Sequence, residues 1–232
     1  MKPVQIGPVR RIVSTQIPTK WGQVFQVLGF ERDVSNGHRV ESALAILLGD
    51  LTGCAPLLRI HSQCFTGEAL GSLRCDCRNQ LEIAMEAIAE EGRGLVIYEY
   101  QEGRGIGLTA KLQAYALQDT GLDTIDANQA LGFVADQRDF GLPIEILREL
   151  GVTNVRLLSN NPRKACALRE GGIVVAAQVP CEAQPTEHSL AYLQTKKERM
   201  GHALGLVAHK GSAAADARRS LPDHDQSAHS SA

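Results

Sequence analysis

Residues 95–108, LVIYEYQEGRGIGL, decide the fold class. Leu95, Val96 and Ile97 open a short apolar run of the kind that forms a buried strand, and a stretch with helical spacing begins near Leu108. Between them Gly103, Gly105 and Gly107 provide a turn where backbone N–H groups and a helix N-terminus can meet an anion. Strand, glycine turn and helix in that order form one step of an α/β layer. The glycine spacing matches neither the Walker loop nor the dinucleotide fingerprint, so a plain tight turn remains an equal reading of the glycines alone. Glu102 and Arg104 flank Gly103. They add an acceptor for N–H and O–H groups and a guanidinium suited to phosphate oxygens, or else a solvated ion pair.

Upstream, VRRIVSTQI, QVFQVLGF, ALAILLG and PLLRIHS alternate β-rich stretches with turn residues between Val9 and Ser62 and read as a strand meander. From Arg78 the pattern changes, because Leu81, Ala84, Met85 and Ile88 recur at helical spacing until Gly92. Downstream, helices are expected around Lys111 to Asp119 and Pro143 to Leu150, a strand at VRLLS, a helix after Asn160 and a last strand at IVVAAQV. The expectation is an α/β fold: a mixed β-sheet with flanking helices, a β-rich N-terminal part, and a single compact catalytic domain over residues 1–206. Residues 207–232 have too little apolar content to order themselves and are expected to form a disordered tail.

The whole chain sets bounds on function. Its 232 residues, 44% of them hydrophobic, suffice for a substantial core. A formal net charge of -2 with interspersed signs offers no basic field of the kind that neutralises nucleic-acid phosphates. No run approaches the apolar length of a membrane span, and MKPVQIGPVRRIVSTQ lacks an apolar core of signal-peptide length. A cytoplasmic protein without nucleic-acid or membrane partners is expected. Six cysteines, with Cys54, Cys166 and Cys181 scattered, fit reduced thiols better than a disulfide framework.

The other three cysteines crowd into residues 59–77, RIHSQCFTGEALGSLRCDC. Cys64, Cys75 and Cys77 offer a soft divalent metal three thiolates and no obvious fourth ligand. A structural zinc closes its tetrahedron with four protein ligands, whereas a catalytic zinc keeps one position for water and lowers its pKa to about 7. The count leans towards catalysis, although His61 would close the site if it were the fourth ligand. Without a second CxxC or HxxxH pair, a nucleic-acid finger is disfavoured. The plain alternative is three small buried apolar side chains.

Two later stretches add polar clusters. In residues 127–142, ANQALGFVADQRDFGL, a loop between helices gathers Asp136, Arg138 and Asp139. Asp136 can serve as base or ligand and Arg138 can clamp a charged transition state, though such clusters are most often surface ion pairs of little energetic weight. Residues 159–164, SNNPRK, follow the VRLLS strand at its carboxyl end, where α/β sheets commonly bind ligands. Asn160, Asn161 and Lys164 would supply polar contacts there, unless the Asn-Pro pair merely starts a helix. Tyr115 shares a helical face with Leu108 and Leu112, which on residues alone makes it a core tyrosine.

Taken in order, HS-x-C, T-G-[DE], S-x-R-C-D-C, Q-E-G-R-x-I-G-L, A-Y-A-L-Q-D, D-T-x-x-A-N, L-G-F-x-A-D-x-R-D-F and N-N-P-x-K closely resemble the GTP cyclohydrolase II family, across roughly Ile12 to Leu204. The resemblance implies hydrolysis of GTP as the first step of riboflavin biosynthesis. The guanine imidazole ring opens at C8, and formate and pyrophosphate leave a diaminopyrimidine ribosyl phosphate. It implies one zinc per subunit on Cys64, Cys75 and Cys77, Mg²⁺ with the GTP triphosphate, and a homodimer. It assigns nucleotide contacts to Arg59, Ile60, His61, Ser62, Gln63, Gln80, Glu102, Gly103, Arg104, Thr124, Ser159 and Lys164. It lifts Tyr115 from the core into ring chemistry, and matches Asp136 to the proton acceptor and Arg138 to the nucleophile. A guanidinium is always protonated and has no ready lone pair, so a charge clamp is the easier role for Arg138.

This chain departs from the family pattern at several positions. Gln63 and Gln137 stand where glutamate is common, and Glu99-Tyr100 replace a frequent His-Arg. Gln63 matters most, because an amide beside Cys64 removes a charge and adds two donors. Two alternatives therefore stay open: a paralogue that stops at the formylated pyrimidine or serves another pathway, and a non-catalytic zinc-binding partner or scaffold.

Overall fold

The computed structural model describes residues 6–34, 39–134 and 136–208. Its frame is one seven-stranded mixed sheet. Strands β1 (Arg10–Pro18), β2 (Val24–Val34) and β3 (Arg39–Leu48) pair antiparallel, while β4 (Leu57–Ser62), β5 (Gly94–Glu99), β6 (Asn154–Leu158) and β7 (Val174–Val179) form a parallel block. The spatial order is β1-β2-β3-β5-β4-β6-β7. β5 joins the two blocks, antiparallel to β3 and parallel to β4.

Seven helices complete the described chain: α1 (Phe65–Glu68), α2 (Cys77–Glu91), α3 (Leu108–Gln118), α4 (Thr124–Ala130), α5 (Gly141–Glu149), α6 (Pro162–Glu170) and α7 (Leu190–Met200). The expected meander holds for β1 to β3 and fails at β4, which lies beyond β5. Between β4 and β5 the chain passes through α1 and α2, a crossover long enough for parallel pairing, which a tight hairpin is not. Five of the six residues of β4 are buried, without the alternation of a half-exposed meander strand.

Side-chain alternation sends successive residues of the central strands to opposite cores. Leu58, Ile60, Leu95, Ile97, Val155 and Leu157 face Leu142, Ile146 and Leu147 of α5 and Ala165 and Leu168 of α6. Leu57, Val96 and Leu158 face Ala84, Met85 and Ile88 of α2. Each aliphatic side chain fully withdrawn from water contributes about 1.5–3 kcal/mol, more than a helix cap at about 1 kcal/mol, so these two cores hold the layers. The caps set where helices begin and end. Asp123 accepts from the N–H groups of Ile125 and Asp126 to start α4, and Gly92 ends α2 in the left-handed conformation at φ 71°.

Helices α1, α4 and α7 were not anticipated. The first two are only four and seven residues long, and α7 reads as polar. It is ordered by Leu193, buried with Leu204 and Val207. Of the tail expected over residues 207–232, Val207 is instead ordered and buried, and the residues from 209 onward lie outside the described residues. No helix among the described residues is long and apolar enough to cross a membrane. The carboxyl ends of β4, β5 and β6 all point the same way, and the candidate site is built on them.

Candidate functional site

The thiol cluster forms where β4 runs out into α1 and where α2 begins. Cys64, Cys75 and Cys77 place their sulfurs within 4.8 Å of one another, with Cys64 and Cys75 at 3.6 Å. Among the described residues no other group of three or more cysteine, histidine or acidic side chains converges in this way. Gly67 lies against the cluster. A Cβ there would stand 3.1 Å from the Cys75 sulfur and 3.2 Å from that of Cys64, close enough that the sulfurs would have to shift to make room. His61 does not join them. Its Nε2 is 2.9 Å from Glu68 Oε1, its ring stacks on Tyr98, and burial pushes its pKa down to about 4.

The electrostatics fit a cation. Hydrogen bonds from Cys75 and Cys77 hold the Cys64 thiol far below its ordinary range, while bonds to Cys64 and Cys75 push Cys77 well above its own. One sulfur carries charge at the expense of its neighbours, and a divalent metal removes that conflict by favouring the thiolate at all three. Lys111 Nζ stands 3.1 Å from Cys64 Sγ and 2.7 Å from Glu102 Oε1. Burial opposes its charge, but Cys64 and Glu102 outweigh burial and raise its pKa. Three soft donors, the space over Gly67 and the diversion of His61 suit a thiophilic ion that keeps one position for a non-protein ligand.

The main cleft beside this cluster is lined by all three cysteines. Arg59, His61, Ser62, Gln63, Gln80, Glu102, Gly103, Arg104, Thr124, Ser159 and Lys164 line it together with the three cysteines, Tyr115 and Arg138. Ile60 does not. Its side chain is fully buried in the core beneath α5 and α6, and it contributes only a carbonyl that accepts from Lys164 Nζ at 2.7 Å. Burial, reinforced by Arg59 and Arg138, pushes the Lys164 amine well below its ordinary range. The core role that residue type alone suggested for Tyr115 does not hold, because Leu112 on the same face is 49% exposed. Tyr115 instead lies with its Oη 3.5 Å from Thr66 Oγ1 and its ring under the Arg74 guanidinium. Burial raises its pKa, so the phenol keeps its proton.

Asp136 stands behind the wall as the partner of Arg138. Its carboxylate accepts from Nε and Nη2 of Arg138 and is only 4% exposed, so the pair is a buried fork and no surface ion pair. Arg163 also reaches it at 2.8 Å. The loop is tied to the sheet by Gln101, which donates to the carbonyl of Asp139 and accepts from its N–H. Gln101 also donates to Glu99, a carboxyl 1% exposed whose pKa burial pushes up to about 7. Ser62 Oγ links Glu99 to Arg138, at 3.5 Å and 3.3 Å.

The glycine turn is a 3₁₀ turn over Glu102–Gly105 in which Gly103 and Arg104 both take left-handed backbone angles near φ 62°. That conformation costs a non-glycine residue about 1–2 kcal/mol, a strain that fixes the direction of Arg104. Glu102 is already occupied. It accepts from the N–H groups of Phe65 and Gly103 and from Lys111, so it braces α1 and the turn. Asn161 serves two purposes, lining the cleft and capping α6 through the N–H of Arg163.

Several wall residues escaped the sequence reading: Lys111, Arg74 and Asn128, and from α7 and its exit Tyr192, Lys196, Met200 and His202. The signal for α7 was present. Tyr192, Lys196 and Met200 recur at intervals of four, which puts them on one helical face. Lys111 likewise lies four residues before Tyr115. Burial pushes the pKa of His202 down to about 3 and leaves it neutral in the wall.

A thiol cluster that could hold a metal, placed in a cationic cleft at the carboxyl ends of parallel strands, marks an α/β protein of the enzyme class that builds its site at such strand ends. The family model for GTP cyclohydrolase II matches residues 10–180, and the chain belongs to that family. It is 50% identical over 197 residues to a GTP cyclohydrolase-2 of Shigella dysenteriae serotype 1 (strain Sd197), covering 84% of this chain and 98% of that one. A GTP cyclohydrolase-2 of Escherichia coli O9:H4 (strain HS) is 49% identical with the same coverage. Among solved structures, a two-domain 3,4-dihydroxy-2-butanone 4-phosphate synthase from A. baumannii, RibBX, aligns with a TM-score of 0.41 and 19% identity, over 76% of this chain and 40% of that one.

Proposed function

We propose that this enzyme hydrolyses GTP at two places, opening the guanine imidazole ring with loss of formate and releasing pyrophosphate, as the first step of riboflavin biosynthesis. The observation that carries the reading is the joining, in one cleft, of three thiols that suit a zinc ion with cationic side chains that suit a triphosphate. Cys64, Cys75 and Cys77 would hold the zinc, and the chemistry such an ion supplies is activation of water near neutral pH. Mg²⁺ would accompany the triphosphate, offsetting charge as pyrophosphate leaves.

The chain's own residues then have definite tasks. Arg59, Arg104, Arg138 and Lys164 face the cleft and meet the polyanion. Without a ligand these cations repel one another, and Arg59 and Arg138 help to disfavour the charge on Lys164. A bound triphosphate reverses that bias and restores the ammonium. Tyr115, protonated and beside the thiols, can donate to a purine nitrogen as the ring opens. Asp136 holds Arg138 in a fixed fork, which supports a charge clamp on the α-phosphate in preference to a guanidinium nucleophile.

The test is incubation with GTP, Mg²⁺ and zinc, with formate, pyrophosphate and the pyrimidine resolved separately. Formate and pyrophosphate in equal amounts are expected. A second reading has one observation in its favour: Gln63, an amide where the family commonly has glutamate, lines the cleft beside Cys64. Pyrophosphate without formate would select that reading, a product that keeps its formyl group. No product at all would leave the chain as a zinc-binding scaffold. A homodimer is also proposed, supported by the outer strand β1, exposed along all nine residues with Ile12 and Val13 more than half exposed. Light scattering on the purified chain tests it.

A further inference from the structure

We infer that Lys196 of α7 is a positioning residue for the thiol cluster, acting through Asp76, the residue between Cys75 and Cys77. The inference rests on the proposed reading that these thiols hold a metal. Lys196 Nζ meets Asp76 Oδ1 at 2.8 Å, across 120 residues of sequence, and both side chains are nearly sealed from water. The other carboxylate oxygen accepts from Gln80 Nε2 at 2.6 Å. Gln80 Oε1 in turn accepts from Arg59, whose second nitrogen donates to the carbonyl of Leu158 at the end of β6. Asp76 is therefore held at both oxygens, by α7 on one side and on the other by Gln80 of α2, itself anchored to Arg59 of β4.

The local chemistry of Asp76 argues that this arrangement is specific. Asp76 immediately precedes α2, where an aspartate ordinarily accepts from the first free N–H groups of the helix. Here its side chain makes no capping bond and turns instead to Lys196 and Gln80. A residue fixed in this way between two ligands sets the direction of both sulfurs, as outer hydrogen-bond partners do in metal centres generally. The same helix carries a separate docking contact. Arg199 pairs with Asp123 and Asp126 and ties α7 to the start of α4 without a bond to Asp76 or the cysteines. Lys196 sits beyond the residues that the family model matches, which end at 180.

The contrast between Lys196 and Arg199 supplies the experiment. Zinc affinity is measured on the full chain by competition with a chelator, and the thiolate-to-cobalt band is recorded on protein loaded with Co²⁺. Lys196→Met and Asp76→Asn are each expected to weaken zinc binding by about 10–100-fold and to shift the cobalt band. Combining them is expected to add little. Lys196→Arg restores most of the affinity, and Arg199→Ala changes neither readout. Wild-type affinity and spectrum in Asp76→Asn or Lys196→Met would overturn the inference, as would an equal loss in Arg199→Ala, which would mean that helix docking alone is responsible. Wild-type protein that takes up no zinc would overturn the metal reading itself, and this inference with it.

Discussion

Asp136 grips Arg138 at two guanidinium nitrogens, Nε at 2.9 Å and Nη2 at 2.7 Å, and accepts from the N–H of the same residue at 3.1 Å. Burial opposes the charge on Asp136, but the bonds to Arg138 prevail and hold its carboxyl below the usual range. A carboxylate so engaged orients its partner more readily than it accepts a proton. Asp136→Asn keeps the shape and removes the charge. Pyrophosphate release is expected to fall about 100-fold in kcat with KM changed only a few-fold, because the loss is one of orientation. Steady-state kinetics check this, and mass spectrometry of a trapped guanylyl adduct on Arg138 would reverse the clamp assignment.

Removing the proposed zinc is expected to separate the two halves of the proposed reaction. A Cys77→Ser variant, or wild type treated with a strong chelator, should lose formate production, and zinc returned to the chelated wild type should restore it. Elemental analysis alongside formate detection reads the outcome. Full formate release from metal-free protein would contradict the role given to the cysteines.

Gly67 tests the room around the sulfurs. In Gly67→Ala the new methyl would press on the sulfurs of Cys64 and Cys75, with Cys77 Cβ 3.6 Å away. Weaker zinc binding is expected, by about tenfold or more, with a destabilisation of about 1–3 kcal/mol from overpacking. Chelator competition and denaturant unfolding measure the two effects independently.

Glu99 gives a pH signature. Burial raises its pKa from 4.5 to about 7, although Lys164 and Arg138 pull the other way. A carboxyl raised in the fold binds its proton more tightly folded than unfolded, so its contribution is complete below the unfolded value and disappears as pH climbs through about 7. Relative to Glu99→Gln, the wild type should lose about 3 kcal/mol between roughly pH 4.5 and 7. Urea unfolding at several pH values checks the sign. Parallel curves for the two proteins would show that Glu99 does not titrate in this window.

Much of the site was legible because its residue types are chemically conspicuous. Cys64, Cys75 and Cys77 stand out within fourteen positions of one another, and the Glu102-Gly103-Arg104 run follows an unmistakable buried strand. Positions whose role depends on what faces them were hidden. Lys196 reads as one more surface lysine in LQTKKERM until α7 folds back over the loop between Cys75 and Cys77. Asp136 reads as a proton acceptor or a surface ion pair until it is seen gripping Arg138. Ile60 is assigned to the nucleotide along with its neighbours, yet side-chain alternation along β4 turns it into the core.

From its residues alone the chain determined an α/β layer, a cluster of thiols and a set of cationic groups suited to an anion, because periodicity and donor type are properties of short stretches. The third dimension alone decided that β4 crosses beyond β5, that His61 turns from the sulfurs to Glu68, and that a C-terminal helix reaches the loop between Cys75 and Cys77. Those outcomes depend on which groups meet in space, across 120 residues in the case of Lys196 and Asp76, a matter of desolvation and packing that local sequence does not encode.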